Sequence, residues 1–119
     1  MLKEALSDKR VFIATGYTDM RRGIDGLASI VAEEFGLDPF ADAVFLFCGR
    51  RTDRIKCLWW EADGFVLAYK RLEGAGSFKW PRSQREAKAL TGQQVRWLLE
   101  GLEIEQKKAI QPAETVNLF

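Results

Sequence analysis

Three apolar segments separated by turn signals, within residues 43–72, most strongly limit how this chain can fold. AVFLFCG at 43–49 is a continuous apolar run, which is typical of a central strand. A turn at 50–53 leads into RIKCLWWE at 54–61. Asp63-Gly64 is a strong hairpin signal, and FVLAYKRL at 65–72 returns as the next strand. The segment therefore predicts antiparallel strands joined by tight turns.

Two further strands are predicted outside this segment. VFIAT at 11–15 is a short apolar run, which we place at one edge of the sheet. SFKWP at 77–81 follows a glycine-rich break and predicts a short last strand, because its final proline ends it. Residues 82–90 are polar and basic, so they are predicted to form a linker or loop.

Helical periodicity appears twice. Apolar residues at 20, 24, 27, 31 and 35 predict a long helix over 19–35, with Thr18 as its N-cap and Gly36 as its C-cap. Thr91 and Gln94 match a capping box, and the apolar stripe that follows predicts a shorter helix over 92–102.

These elements predict one α+β domain over residues 1–102. Its expected core is an antiparallel β-meander of four to five strands, with the long helix packed on one face and the shorter C-terminal helix beside it. Residues 103–119 lose the periodic pattern, and Pro112 interrupts any helix there. We expect them to form a flexible tail, or a segment that orders on a partner.

The composition argues against most catalytic chemistry. The chain contains no histidine, which excludes an imidazole base and a zinc site with a histidine ligand. Two cysteines, Cys48 and Cys57, are too few for a thiolate zinc site, and we expect both to be reduced and buried. The sequence contains no phosphate-binding glycine motif. The candidate acids for a two-metal site do not converge by their spacing; they are Asp19, Asp25, Asp53, Glu61 and Asp63. We therefore expect no enzyme activity, metal, cofactor or small-molecule substrate.

The N-terminal sequence MLKEALSDKR is polar and lacks the apolar centre of a signal peptide. No apolar run approaches the roughly 20 residues that a membrane span needs. We expect a cytoplasmic protein that does not associate with a membrane.

Positive charge is concentrated in one part of the chain. Residues 50–88 hold ten cations against five acids, a formal charge of +5, although the whole chain carries only +1. Aromatic residues are interleaved with these cations, which suits bases that stack and phosphates that pair with cations. The same pattern also suits a plain half-buried sheet with a cationic wet face. The candidate DNA-binding residues are Arg50, Arg51, Arg54, Lys56, Trp60, Tyr69, Lys70, Arg71, Lys79, Trp80 and Arg82.

The hairpin around Asp63-Gly64 supplies an argument for an anion. A two-residue loop would place Lys56 opposite Arg71, and a three-residue loop would place it opposite Lys70. Like charges directly opposed destabilise a sheet, and a bound anion would relieve that cost. Screening of the pair by Glu73 or Glu61 is the alternative explanation. On the same strand, Trp59 is the core candidate and Trp60 the exposed one.

A second candidate anion site lies where the first strand meets the predicted long helix. Gly16 and Thr18 precede the helix, and Arg21 and Arg22 lie in its first turn. Free backbone N–H groups at a helix start attract anions, and arginines there are unfavourable for the helix dipole unless an anion or acidic partner is bound.

Long stretches of the chain resemble the TnpB accessory protein, the second open reading frame, of the insertion sequence 66 family of bacterial transposable elements. The stretches are ATGYTDMRRGIDGLASIV at 14–31, LDPF at 37–40, the run from 44 to 81, and LTGQQVRWLLEGL at 90–102. The most specific blocks are TDMR-x₃-DGL and DR-x-K-x-L-x-W-x₂-DGF-x-L-x-YKRLE.

The resemblance implies a small non-catalytic protein encoded beside a separate DDE-type transposase and needed for efficient movement of the element. It implies no relation to the larger RNA-guided nucleases that share the name TnpB. Cys48 and Cys57 are not expected family hallmarks.

Two mechanisms fit such a role. In one, the basic aromatic sheet binds DNA at the element ends. In the other, the chain is an adaptor that grips the transposase through helix 92–102, the tail and the exposed face of helix 19–35. DNA binding predicts a steep fall of affinity with salt, whereas an adaptor held by apolar contacts predicts little. A small nuclease, the third possibility, would need metal-dependent cleavage.

Overall fold

The computed structural model describes residues 2–6 and 8–106, which form an α+β fold around a five-stranded mixed sheet. The sheet order is β4-β3-β2-β1-β5. The strands are β1 Arg10–Ala14, β2 Ala43–Cys48, β3 Arg54–Glu61, β4 Gly64–Arg71 and β5 Ala87–Leu90. The helices are α1 Leu2–Leu6, α2 Ile24–Ser29, which continues as a π-helical turn Ile30–Glu34, and α3 Gly92–Leu99.

The predicted antiparallel meander is wrong for β1, which runs parallel to β2 with Val11 opposite Val44. The other pairings, β2 with β3, β3 with β4 and β1 with β5, are antiparallel. A parallel pair needs a crossover connection, and the chain between β1 and β2 supplies it through α2. β1 therefore lies inside the sheet, between β2 and β5, and not at an edge.

The long helix predicted over 19–35 is much shorter in the structure. Thr18 is not its N-cap, because the helix begins only after Gly23, which caps it without a side-chain hydrogen bond. The Thr18 backbone N–H donates instead to the Cys48 carbonyl oxygen at 2.9 Å and ties the loop before the helix to the end of β2. Its end agrees with the prediction, because Gly36 has a φ of +65° and the Leu37 N–H returns to the Val31 carbonyl.

Residues 77–81 do not form the predicted strand, and residues 82–90, predicted as a loop, contain β5. The aromatic side chains of 77–81 are buried: Trp80 is 5% exposed and its Nε1 donates to the Ala14 carbonyl oxygen at 2.9 Å. β5 pairs instead with β1, with Ala89 opposite Phe12. AKAL has little intrinsic strand preference, so the pairing with β1 decides its conformation.

Helices and loops cover both faces of the sheet, whereas the prediction placed the long helix on one face. The first face packs against α1, α3 and residues 72–80, with Leu46, Phe78 and Leu98 among its buried residues. The second face packs against α2 and its π-helical turn, with Phe47 and Leu27 among its buried residues. Every residue of β2 is buried as a result, which explains its continuous apolar sequence.

The second predicted helix is present as α3, and its capping box is confirmed. Thr91 Oγ1 accepts from the Gln94 N–H at 3.1 Å, and the Gln94 side chain accepts from the Thr91 N–H at 3.0 Å. The helix ends at Leu99 and not at residue 102. Residues 103–106 pack beside it, with Ile104 buried, and the remainder of the predicted tail, 107–119, lies outside the described residues.

Candidate nucleic-acid interface

The register of the β3–β4 hairpin differs from both registers considered above. Glu61 pairs with Gly64 around Ala62-Asp63, so Lys56 lies opposite Tyr69 and faces no cation. The opposed cations are Arg54 and Arg71.

Each of these arginines binds a neighbouring acid. Arg54 Nε lies 2.9 Å from Asp53 Oδ1, and Arg71 Nη2 lies 3.0 Å from Glu73 Oε1. Screening by carboxylates, the alternative explanation, therefore accounts for this pair, and the hairpin gives no argument for an anion.

Lys56 anchors a loop. Its Nζ donates to the carbonyl oxygens of Met20, at 2.7 Å, and Arg22, at 2.8 Å. These bonds hold the loop before α2 against β3, while the Tyr69 ring lies 6.0 Å from the ammonium. Lys56, which the sequence predicted to bind phosphate, thus positions the loop before α2.

Tyr17 lies at the centre of a cationic cluster, and the sequence reasoning missed it. Two guanidinium groups lie over its ring, with the Cζ atoms of Arg50 and Arg82 at 4.8 and 4.9 Å from the ring centroid. Half of the Tyr17 surface remains exposed. The sequence signal that could have identified Tyr17 is an aromatic residue directly after Gly16, at the end of a strand.

Arg82 joins the loops that follow the two parallel strands. Its Nη1 donates to the Gly16 carbonyl oxygen at 2.9 Å, and its Nη2 donates to Gly49 at 2.8 Å and to Arg50 at 3.3 Å. Arg85 assists from the same segment, because its Nη1 donates to the Thr15 and Tyr17 carbonyl oxygens. Residues 82–85, predicted as a linker, therefore hold the cluster in place.

A groove runs from this cluster to the hairpin. One cavity of about 460 Å³ lies between residues 17–20 and 49–54, and a second, of about 660 Å³, shares three lining residues with it. We call the two together the arginine groove. Its lining residues are Tyr17, Thr18, Asp19, Met20, Arg21, Gly49, Arg50, Arg51, Arg54, Lys56, Leu67 and Tyr69.

The charges in the arginine groove differ in their availability. Arg21 forms a bidentate contact with Asp19, and this hydrogen bond holds the pKa of the Asp19 carboxyl well below its usual range. The hydrogen bond from Arg54 likewise lowers the pKa of Asp53. Arg50 and Arg51 form no ion pair with any residue in 2–6 or 8–106. Arg51 adds to the electrostatic lowering of the Asp53 pKa, after the larger effect of Arg54, but neither Arg50 nor Arg51 is held by a carboxylate.

The remaining predicted DNA-binding residues lie elsewhere. Trp60 packs against Phe40 and Phe65, with ring centroids 5.0 and 5.1 Å apart, at the turn end of the hairpin. Lys70 pairs with the buried Ile55 and so lies on the opposite face of the sheet.

Lys79 is exposed, but the neighbouring Trp80 is a core residue, which removes it from the set available for stacking. The structure thus brings together Arg50, Arg51, Arg54, Lys56, Tyr69 and Arg82. Arg71 lies opposite Arg54 but is paired with Glu73, and the other four candidates lie elsewhere.

The anion site predicted at the start of the long helix, formed by Gly16, Thr18, Arg21 and Arg22, does not lie at a helix start in the structure. Because α2 begins after Gly23, the four residues lie in or beside an extended loop. Gly16 binds Arg82, and Arg21 binds Asp19. The Arg22 side chain lies against Gly26 on α2. Thr18 is buried and lines the first cavity, as Arg50 and Arg51 do.

Both cysteines are buried free thiols. Burial raises the pKa of Cys48 to about 11 and the pKa of Cys57 to about 12, so neither is a thiolate at neutral pH. Within the part of the chain that the structure describes, no three cysteine, aspartate or glutamate side chains come together as a metal site. The same residues include no helix long and apolar enough to cross a membrane.

Comparison with known proteins places the chain in a class of transposition-associated accessory proteins. The family model described as IS66 Orf2 like protein matches residues 9–109, and the chain belongs to this family. The family is linked to the transposition machinery of its element and is not known to be catalytic.

Two similar proteins come from Sinorhizobium fredii (strain NBRC 101917 / NGR234). The uncharacterized protein y4hO is 40% identical over 94 residues, which cover 79% of this chain and 81% of y4hO. The uncharacterized protein y4jC is 33% identical over 94 residues, covering 79% of this chain and 80% of y4jC. No solved structure matches the chain.

Proposed function

We propose that the chain is a non-catalytic accessory factor that binds DNA at the element ends through the arginine groove. The observation that carries the proposal is the pair Arg50 and Arg82 over the half-exposed Tyr17 ring, with Arg51 beside them in the groove lining. Among the described residues, no carboxylate forms an ion pair with these three arginines. Phosphates pair with such cations, and an exposed aromatic ring offers a face on which a base can stack.

The shape of the groove supports contact with a strand. It extends from Tyr17 past Arg50, Arg51 and Arg54 to Tyr69, and both tyrosines are half-exposed. Arginine contacts to phosphates position a protein on nucleic acid without reading its sequence. We therefore expect backbone contacts to dominate the affinity and to make it depend steeply on salt.

A fluorescence-anisotropy titration with labelled DNA of an element end, at two salt concentrations, tests the proposal. The variant Arg50→Glu/Arg51→Glu reverses both arginine charges. Lys70→Glu/Lys79→Glu makes the same net charge change at exposed residues outside the groove and serves as the matched control. Lys56→Glu is unsuitable because it would also release the Met20 loop.

We expect wild-type binding that weakens sharply with salt, loss of binding in the Arg50→Glu/Arg51→Glu variant, and a much smaller change in the control. Absence of binding at low salt would sink direct DNA recognition. Equal losses in the two variants would also contradict it, because they would reflect net charge alone.

The second candidate function is an adaptor for the transposase, and an exposed aromatic cluster favours it. Phe40 is 56% exposed, and its ring centroid lies 5.0 Å from Trp60 and 5.2 Å from Phe65. Exposed aromatic residues are common anchors in protein interfaces. Capture of the transposase that persists at high salt and fails in Phe40→Ser would favour the adaptor, and capture unaffected by Phe40→Ser would not.

A further inference from the structure

One buried hydroxyl in the arginine groove has no hydrogen-bond partner. Thr18 is 5% exposed, and its Oγ1 is the one buried side-chain oxygen or nitrogen without a partner in the part of the chain described. The Thr18 N–H already donates to the Cys48 carbonyl oxygen, so the backbone holds the residue at this position. Buried polar groups normally have a hydrogen-bond partner. An unpartnered hydroxyl therefore suggests a ligand that supplies the bond.

The nearby Thr15 shows how this fold treats a structural threonine. Thr15 is also buried, and its Oγ1 donates to the Gln84 carbonyl oxygen at 2.6 Å and accepts from the Glu86 N–H at 2.9 Å. These bonds tie β1 to the segment before β5. The Thr18 hydroxyl makes no such bond, so it does not contribute to holding the described chain together as the Thr15 hydroxyl does.

The cavity beside Thr18 has the charge of an anion site. Thr18 lines the cavity of about 460 Å³ together with Arg50, Arg51 and Arg54. Asp19 is the one acid in this lining, which leaves a formal charge of +2, and its carboxylate already accepts a bidentate contact from Arg21. A hydroxyl can donate to an oxyanion while guanidinium groups approach the other oxygens.

We propose that this cavity is a phosphate site in which the Thr18 side chain, held by no hydrogen bond, turns about χ1 so that its Oγ1 donates to a phosphate oxygen, while Arg50 and Arg51 balance the phosphate charge. A tetrahedral phosphate offers acceptor oxygens in several directions, so a hydroxyl and two guanidinium groups can approach it together. A volume of about 460 Å³ also exceeds the needs of one phosphate and leaves room for the nucleotide that carries it. That the phosphate belongs to DNA rests on the function proposed above; the site itself does not.

Thermal unfolding with inorganic phosphate as the probe tests the site, with chloride in the reference buffer at equal ionic strength. Thr18→Val removes the hydroxyl and keeps the branched shape, and Thr18→Ser restores a hydroxyl. We expect phosphate to raise the Tm of the wild type and of Thr18→Ser, and to leave Thr18→Val unchanged. Without phosphate, Thr18→Val should unfold no earlier than the wild type, because its hydroxyl has no bond to lose.

DNA titration provides the second arm. We expect Thr18→Val to weaken the affinity for element-end DNA by about tenfold, as the loss of one hydrogen bond to a charged group implies. The slope of log Kd against log salt concentration should stay at the wild-type value, because the hydroxyl carries no charge. Arg50→Gln, which removes one charge without reversing it, should instead make the slope shallower.

The outcomes separate the two proposals. DNA binding that Thr18→Val leaves intact, together with a phosphate effect on the Tm that does not require the hydroxyl, would overturn the phosphate site and keep the DNA-binding function. A phosphate effect that requires the hydroxyl, without any DNA binding, would support the site and assign it to a free phosphate compound. Early unfolding of Thr18→Val without phosphate, or no phosphate effect on the wild type, would overturn the site.

Discussion

Lys56 Nζ donates to the Met20 carbonyl oxygen at 2.7 Å and thereby joins β3 to the loop that precedes α2. A second bond to the Arg22 carbonyl oxygen, at 2.8 Å, makes the ammonium a bridge across that loop. The loop forms one wall of the arginine groove, since Asp19, Met20 and Arg21 all line it. Lys56, which the charge pattern predicted to bind phosphate, therefore holds one wall of the groove in place through backbone hydrogen bonds.

Replacement of this lysine should lower stability. Lys56→Met keeps most of the apolar stem and removes both hydrogen bonds, so we expect the free energy of unfolding to fall by about 1–2 kcal/mol. Urea denaturation followed by tryptophan fluorescence measures the change. Lys70→Met, at an exposed site without a described ion pair, should shift it by less than about 0.5 kcal/mol. Equal stability of the two variants would refute the anchoring role.

Thr15 should be far more sensitive to loss of its hydroxyl than Thr18. Thr15→Val leaves the Gln84 carbonyl and the Glu86 N–H without their partner beside a fully buried side chain. We expect the free energy of unfolding to fall by about 2–3 kcal/mol, measured by urea denaturation alongside Thr18→Val. A larger loss in Thr18→Val than in Thr15→Val would mean that the Thr18 hydroxyl has a structural partner.

Gly49 should not accept a side chain. A Cβ atom there would lie 2.7 Å from Met20 Cγ, in the narrow space between the end of β2 and the loop before α2. Gly49→Ala should cost about 1–3 kcal/mol of stability through overpacking and displace a wall of the groove.

Urea denaturation and DNA titration together measure both effects of Gly49→Ala. Gly64→Ala is the control, because its added Cβ would have no neighbour within 4 Å. Retention of wild-type stability and DNA affinity by Gly49→Ala would show that Met20 yields freely.

The buried thiols should make stability depend on alkaline pH. Burial raises the pKa of Cys48 to about 11 and of Cys57 to about 12, from a reference value of 9.0. Above pH 9 the unfolded chain loses these protons before the folded chain does, so the free energy of unfolding falls as pH rises through 9 to about 11 or 12. Well below pH 9, where both states keep these protons, the thiols contribute no pH dependence.

The measurement is urea denaturation between pH 8 and 10.5 for the wild type and for Cys48→Ala/Cys57→Ala. The wild type should lose more stability over this range than the double variant does. Parallel curves would contradict the assigned pKa shifts. In a separate experiment at neutral pH, a thiol reagent should modify the native wild type slowly and the unfolded chain rapidly.

Features encoded by neighbouring residues were predictable. The Asp63-Gly64 signal predicted the β3–β4 hairpin but not its register, because the turn residues are Ala62-Asp63. Thr91 and Gln94 predicted the capping box of α3, and the apolar run of β2 predicted a central strand. Each depends on local backbone preference or on side-chain periodicity, which a single chain displays directly. The family was equally accessible, because its longest motifs lie in continuous stretches.

Features that depend on distant contacts were decided by the tertiary structure. Strand direction does not affect the periodicity of a sequence, so the parallel pairing of β1 with β2 has no local signal. The segment AKAL forms β5 because it pairs with the other edge of β1. The same contacts moved Lys56 and Trp80 from the predicted interface into structural roles and brought Tyr17 between Arg50 and Arg82. Charge and aromatic content are local properties of a sequence, whereas the place where a charge remains free is set by which backbone oxygens and carboxylates the fold brings to it.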